Sequence, residues 1–234
     1  MRLSGVRVAF LAFAASASLS VALAGDLWIQ PEPAAPSPGQ QITLRLFEGE
    51  PFAGQERPSD PDRTERFLRL WKKGRANLAG REERAPAARF IAAEPGAQLI
   101  VYDSPSAGSY CKAVIVVGEP AAGDPLRWSE LGQRLELVPQ SDPVELLAGA
   151  NTLDIQVLFE REPLAGARVV AFPAAAPREG LRAAITDEIG LVRLRLDHPG
   201  WWLVRVRHRP RGADGHSASG SELTATLTIA AGER

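Results

Sequence analysis

Hydrophobic and polar positions alternate with a period of two along most of this 234-residue chain, the spacing of strands with one buried face. In "GQQITLRLF", Ile42, Leu44 and Leu46 point one way and Gln41, Thr43 and Arg45 the other. "AQLIVYDSP" and "YCKAVIVVG" are nearly continuous apolar runs, and the second is predicted to be a central strand buried on both faces. The stretch between the first strand and these two is rich in charge and proline, with one possible strand at "RFLRLWKK".

The C-terminal half repeats the pattern more cleanly. Strands are predicted at "RLELVPQ", at "TLDIQVLFE" with Leu153, Ile155, Val157 and Phe159 on one face, and at "REPLAGARVVAF". Three more follow within residues 181–208, with turns at Asp187 to Gly190 and Asp197 to Gly200. Val192, Leu194 and Leu196 share a face, as do Trp202, Val204, Val206 and His208. A last strand, "ELTATLTIA", sets Leu223, Ala225, Leu227 and Ile229 inward. With 19 prolines and 21 glycines punctuating short runs, this is all-β material. The prediction is two tandem immunoglobulin- or transthyretin-like β-sandwiches, over 25–118 and 133–231, joined by a Pro/Gly/Ala linker at 119–132.

The first 24 residues stand apart. Arg2 and Arg7 precede an uncharged apolar run ending in Ala22-Leu23-Ala24, which predicts a signal peptide cut to leave Gly25 first, and so a periplasmic or secreted product. Losing those two arginines moves the formal net charge from −1 to −3, which disfavours a nucleic-acid partner. After cleavage no stretch approaches the length of a membrane span. The single cysteine, Cys111, cannot form an internal disulfide and is expected to be a small buried hydrophobe.

Chemistry is sparse. The chain has three histidines, His198, His208 and His216, and none of the nucleophile, zinc-protease, phosphate-loop or dinucleotide motifs. The reading is therefore non-catalytic. Asp60, Asp62 and Glu65 are interleaved with Arg63 and Arg66, which predicts a self-paired loop. Arg193, Arg195, Arg205, Arg207 and Arg209 alternate along two successive strands. If those strands form a hairpin, the guanidinium groups make one cationic face, either an interaction surface for an anionic ligand or partner, or a solvated face that guards against aggregation.

Taken in order, "GDLWIQP", "RPSDPDRTERF", "YCKAVIVVG", "LELVPQSDPVEL", "LFEREPLAGARVVAF" and "TDEIGLVRLRLDHPGWWLVRVRH" resemble the DUF4198 family. These are exported proteins of uncertain function, sometimes called NikM-like and associated with nickel and cobalt uptake. The last two segments are also similar to transthyretin or carboxypeptidase-regulatory sandwiches. The resemblance implies a site for a divalent transition metal (Ni, Co or Cu) at the mature N-terminus. Relatives begin His-Asp and then a Trp, and carry a His after the late Trp strand; here those positions are Gly25, Asp26, Trp28 and His208. It further implies an accessory role beside a membrane metal transporter. The competing expectation is a structural or protein- or glycan-interaction module with no metal role.

Overall fold

The computed structural model describes residues 25–80, 85–118, 130–210 and 222–233. The expected signal segment, most of the expected linker and His216 lie outside these residues.

The chain is all-β, as its alternation predicts. The N-terminal half contributes β1 (Asp26–Glu32), β2 (Gln40–Gly49), β3 (Gln55–Arg57), β4 (Arg66–Trp71), β5 (Gly74–Asn77), β6 (Ala88–Ala92), β7 (Gly96–Ser104) and β8 (Ser109–Val117). The C-terminal half contributes β9 (Leu135–Pro139), β10 (Thr152–Phe159), β11 (Glu162–Pro163), β12 (Arg168–Pro173), β13 (Arg182–Ile185), β14 (Leu191–Arg195), β15 (Gly200–His208) and β16 (Leu223–Ala231). The one α-helix among the described residues, α1 (Pro143–Leu147), begins at Asp142, whose carboxylate accepts the Val144 N–H at 2.9 Å, with proline at the first helical position.

These strands form three sheets. In one, β2 pairs with β1 along one edge and with β3 and β6 along the other. In the second, β10 lies between β9 and the pair β11 and β14. The third has eight strands in the order β13-β12-β15-β16-β8-β7-β4-β5. It runs through both halves of the chain, and every pairing is antiparallel except β16 with β8, which is parallel.

The two small sheets cover opposite faces of the large one, giving two hydrophobic cores. Ile100, Tyr102, Cys111 and Ala113 point from the large sheet into the first core, against Leu27, Ile29, Ile42 and Leu44. Leu99, Tyr110 and Val114 point from the same two strands into the second, against Leu137, Ile155, Val204 and Leu227. Strands β7 and β8 therefore serve both cores, and every residue in each is buried. This is why they read as continuous apolar runs rather than alternating ones. Each half has its own core, yet the halves share one sheet.

The charge-rich stretch after β2 holds β3, β4, β5 and β6, more strands than the one its sequence suggests. Among the described residues Asp60, Asp62 and Glu65 form no ion pair with Arg63 or Arg66, contrary to the expected self-pairing. Arg66 turns instead to the buried Asp103 and to the Leu131 carbonyl, 2.8 Å from its Nη1.

Cys111 is fully buried, and its thiol donates to the Leu27 carbonyl at 3.3 Å. Burial pushes its pKa up to about 12, leaving negligible thiolate at neutral pH. The folded protein should resist a thiol reagent at pH 8 and react only on unfolding; rapid labelling without loss of structure would contradict this burial.

A candidate binding cleft around Asp26

Asp26 opens β1, which crosses the β8–β16 junction. The Leu27 carbonyl accepts from the Thr226 hydroxyl at 2.8 Å as well as from Cys111. These two bonds fix the strand start and aim the Asp26 side chain at β15. There both carboxylate oxygens are taken by arginine. Arg205 Nη1 donates to Oδ2, and Arg207 Nη2 and Nε donate to Oδ1 at 2.7 and 3.2 Å. Asp26 is 2% exposed, and charge-assisted hydrogen bonds of this kind are the arrangement that makes a buried carboxylate tolerable.

Alternation along β15 sends Arg205 and Arg207 to this face and His208 to the other. His208 packs against Phe159, with ring centroids 4.6 Å apart. Burial lowers its pKa, and the positive charge of Arg134 lowers it further. The convergence of Gly25, Asp26 and His208 expected for a metal does not occur. The sheet separates the imidazole from the carboxylate, and a cation at Asp26 would meet two guanidinium groups. Among the described residues no group of three or more His, Cys, Asp or Glu side chains is placed to hold a metal. The donor set does not fit nickel, cobalt or copper.

The arginine stripe is also divided. Strands β14 and β15 are not a hairpin: the turn at Asp197 to Gly200 carries the chain from the second sheet to the large one. Val192, Leu194 and Leu196 thereby face Trp202, Val204 and Val206 across the second core. Arg193 and Arg195 lie on the outer face of the second sheet, where Arg193 grips Asp154 with two bonds of 2.7 and 2.8 Å. Those bonds hold the Asp154 carboxyl below the usual carboxylate range. Arg205 and Arg207 are on the far face of the large sheet. His198 sits in the turn as expected, its carbonyl accepting the Trp202 indole N–H at 2.8 Å.

Beside Arg205 opens a cleft of about 660 Å³ between the β2–β3 turn and the β12–β13 loop. Its floor is Phe172, with the Arg205 guanidinium 4.9 Å above the ring; its walls include Pro51, Ala53, Ala176 and Leu181. Arg178 and Glu50 close a bridge across the rim at 2.9 Å. Trp28 supports the turn from behind, stacked on Phe47 at 5.4 Å and set edge-on to Phe52. A side chain at Gly54 would place its Cβ 2.5 Å from the Trp28 ring, so glycine is required for that close approach. Among the described residues the cleft lining holds no serine, cysteine or histidine. An apolar floor with one cation is equipped to hold an apolar group bearing negative charge.

Sequence reading did not anticipate a second polar assembly, buried between the large sheet and β9 of the second sheet. Lys112 and Glu136, each 1% exposed, pair at 2.5 Å. Glu136 also accepts the backbone N–H groups of Leu131, Gly132 and Gln133 at 2.6, 2.9 and 3.1 Å, and Lys112 donates to the Leu137 carbonyl at 3.1 Å. Burial pushes the Lys112 pKa down while Glu136 opposes the shift. Alongside, the Gln133 side-chain amide donates to Asp103 at 2.5 Å. Burial raises the Asp103 carboxyl pKa, opposed by Gln133 and Arg66. Together these groups fasten the chain entering β9 onto β7 and β8. The available signals were a lysine inside "SYCKAVIVV" and a glutamate inside "LELVP".

No curated protein sequence matches the chain. Similar solved structures include the D0–D1 domain of intimin (14% identical, 88% of this chain and 98% of that one, TM-score 0.24). Others are the human OSCAR ligand-binding domain (15%, 88% and 98%, TM-score 0.23) and a two-domain fibronectin type III segment of chicken tenascin (12%, 88% and 98%, TM-score 0.26). At these TM-scores the likenesses carry no weight for function. It is over residues 103–210, from the end of β7 through His208 and Arg209, that the chain matches DUF4198, a domain of unknown function.

Proposed function

We propose that this is an exported, non-enzymatic binding protein whose ligand or partner occupies the cleft between the β2–β3 turn and the β12–β13 loop. The observation that carries this reading is the floor of that cleft, where Arg205 lies over Phe172 while being held in place from behind by Asp26. A guanidinium fixed in position and stacked on an aromatic ring loses little freedom when it meets an anion. The occupant that suits it is an apolar group with a negative charge. A role in nickel or cobalt uptake is the less favoured reading, because Asp26 is committed to arginine.

The test uses the chain starting at Gly25 and the fluorescent aromatic sulfonate 1-anilinonaphthalene-8-sulfonate as an apolar anionic probe. Saturable binding is expected, and Ala176→Trp, which fills the cleft, should abolish it with the circular dichroism spectrum unchanged. Unsaturable binding, or equal binding by the filled variant, overturns the cleft reading. In parallel, nickel, cobalt, copper and zinc are titrated into the same protein and into His208→Ala. Stoichiometric binding lost in that variant would restore the metal reading.

A further inference from the structure

The first core stops short of one end of the large sheet. Among the described residues it draws none from β12, β13 or β15, so on that side these three strands present a face outside the core. The register says what lies there, because residues directly opposite on paired strands share a face. Ala183 pairs with Val170, and Val170 with Arg205. Alternation adds Phe172 from β12, Ile185 from β13, and Leu181 just before β13.

This face is apolar, and its outer strand is open to solvent. Leu181 and Ile185 are 39% and 67% exposed, and Ala183 between them is exposed as well. Leu181 also lines the Phe172 cleft, so the strip runs out of that cleft along β13. From Leu181 to Ile185 it covers four residue steps, about 13 Å of extended strand. Aliphatic side chains exposed in a row and continuous with a cleft mark a binding surface, unlike ones scattered singly.

Charge and hydrogen bonding select the occupant. At the inner end of the strip stands one fixed cation, Arg205 over the Phe172 ring. Leu181, Ala183 and Ile185 offer no side-chain donor or acceptor, and β12 has strands paired along both its edges. A polypeptide laid across this face would bury peptide groups without partners. A hydrocarbon chain has none to satisfy.

We propose, resting on the reading of that cleft as the binding site, that its ligand is a long-chain aliphatic anion. The anionic head meets Arg205, and a chain of roughly ten carbons lies along Leu181, Ala183 and Ile185, matching the length of the strip. The aromatic floor under Arg205 excludes water from the head, and the aliphatic strip covers one side of the chain.

Calorimetric titration of the chain starting at Gly25 with hexanoate, decanoate and decanol, all below micelle formation, tests length and charge separately. One-sided burial should tighten binding about twofold per added methylene, so decanoate is expected to bind about tenfold or more tightly than hexanoate. Decanol, which lacks the charge, should bind about tenfold more weakly than decanoate. Ile185→Gln should weaken decanoate about fivefold and leave hexanoate unchanged. Ile189→Gln removes a comparably exposed isoleucine, 61% exposed, from the following turn and should change neither. Saturable binding of anilinonaphthalene sulfonate, with hexanoate and decanoate equal in affinity or not bound at all, overturns the long chain and keeps the cleft. Absence of saturable binding by the sulfonate and by both alkanoates overturns the cleft and the chain together. Equal weakening by Ile189→Gln shows adsorption to any apolar surface and overturns the strip. A dimer in sedimentation velocity that Ile185→Gln dissociates assigns the strip to a second copy of this chain instead.

Discussion

Replacing Lys112 by Ala should lower the stability of the protein by about 3–5 kcal/mol, the cost of breaking a buried ion pair from one side. The carboxylate of Glu136 would then be left at 1% exposure without a cation. A double replacement, Lys112→Met with Glu136→Leu, distinguishes this site from an ordinary buried pair. Such pairs can often be exchanged for apolar residues at little cost. Here Glu136 also satisfies three backbone N–H groups, so the double variant should remain less stable by about 2–4 kcal/mol. Urea unfolding of the three proteins measures both quantities. A double variant as stable as the parent would show that those amides find other acceptors.

Asp26→Ala is the second large effect expected, about 2–4 kcal/mol. It removes the acceptor for three N–H bonds and leaves two arginine side chains, 19% and 39% exposed, next to each other without a counter-charge. The loss should be smaller than at Lys112 because Arg207 can turn toward water. Combining Asp26→Ala with Arg205→Ala should cost less than the sum of the single changes, since the second removes the charge the first exposed. Additive effects would mean that Asp26 and Arg205 act independently and would remove the anchor from the proposed cleft. The anilinonaphthalene sulfonate titration gives a second readout: with Arg205 present but no longer held, binding should weaken although the cleft walls are unchanged.

The strands and their inward faces were legible because each side chain reports its face through a period of two. Ile42, Leu44 and Leu46 are buried as the alternation requires, and so are Trp202, Val204 and Val206. Which sheet each strand joins was not legible. The arginines at 193, 195, 205 and 207 have identical spacing whether β14 and β15 form a hairpin or cross between sheets, and the two arrangements put them on different surfaces. The same limit applies to Asp26. Its place at the start of a strand is written locally, but its partners are 179 and 181 residues away, and nothing near it in the chain specifies them. The Lys112–Glu136 pair was hidden for a related reason. A single charge inside an apolar run signals a partner without saying which of 28 acidic residues it is.

Strand β16 has a consequence for how the chain is made. Residues 223–231 lie between β15 and β8 in the middle of the large sheet, although they are synthesised about a hundred residues after β8. Until they arrive, "SYCKAVIVV" has a hydrogen-bonding edge with no neighbour on one side, in a segment with the apolar, β-branched composition of aggregation-prone strands. The first half cannot complete its share of the sheet and fold as an independent unit while the second is still emerging. Contacts that span more than a hundred residues also close slowly. The interval between the synthesis of β8 and the docking of β16 is therefore when this polypeptide is most exposed to self-association, and when a chaperone that shields extended apolar segments would matter most to its yield.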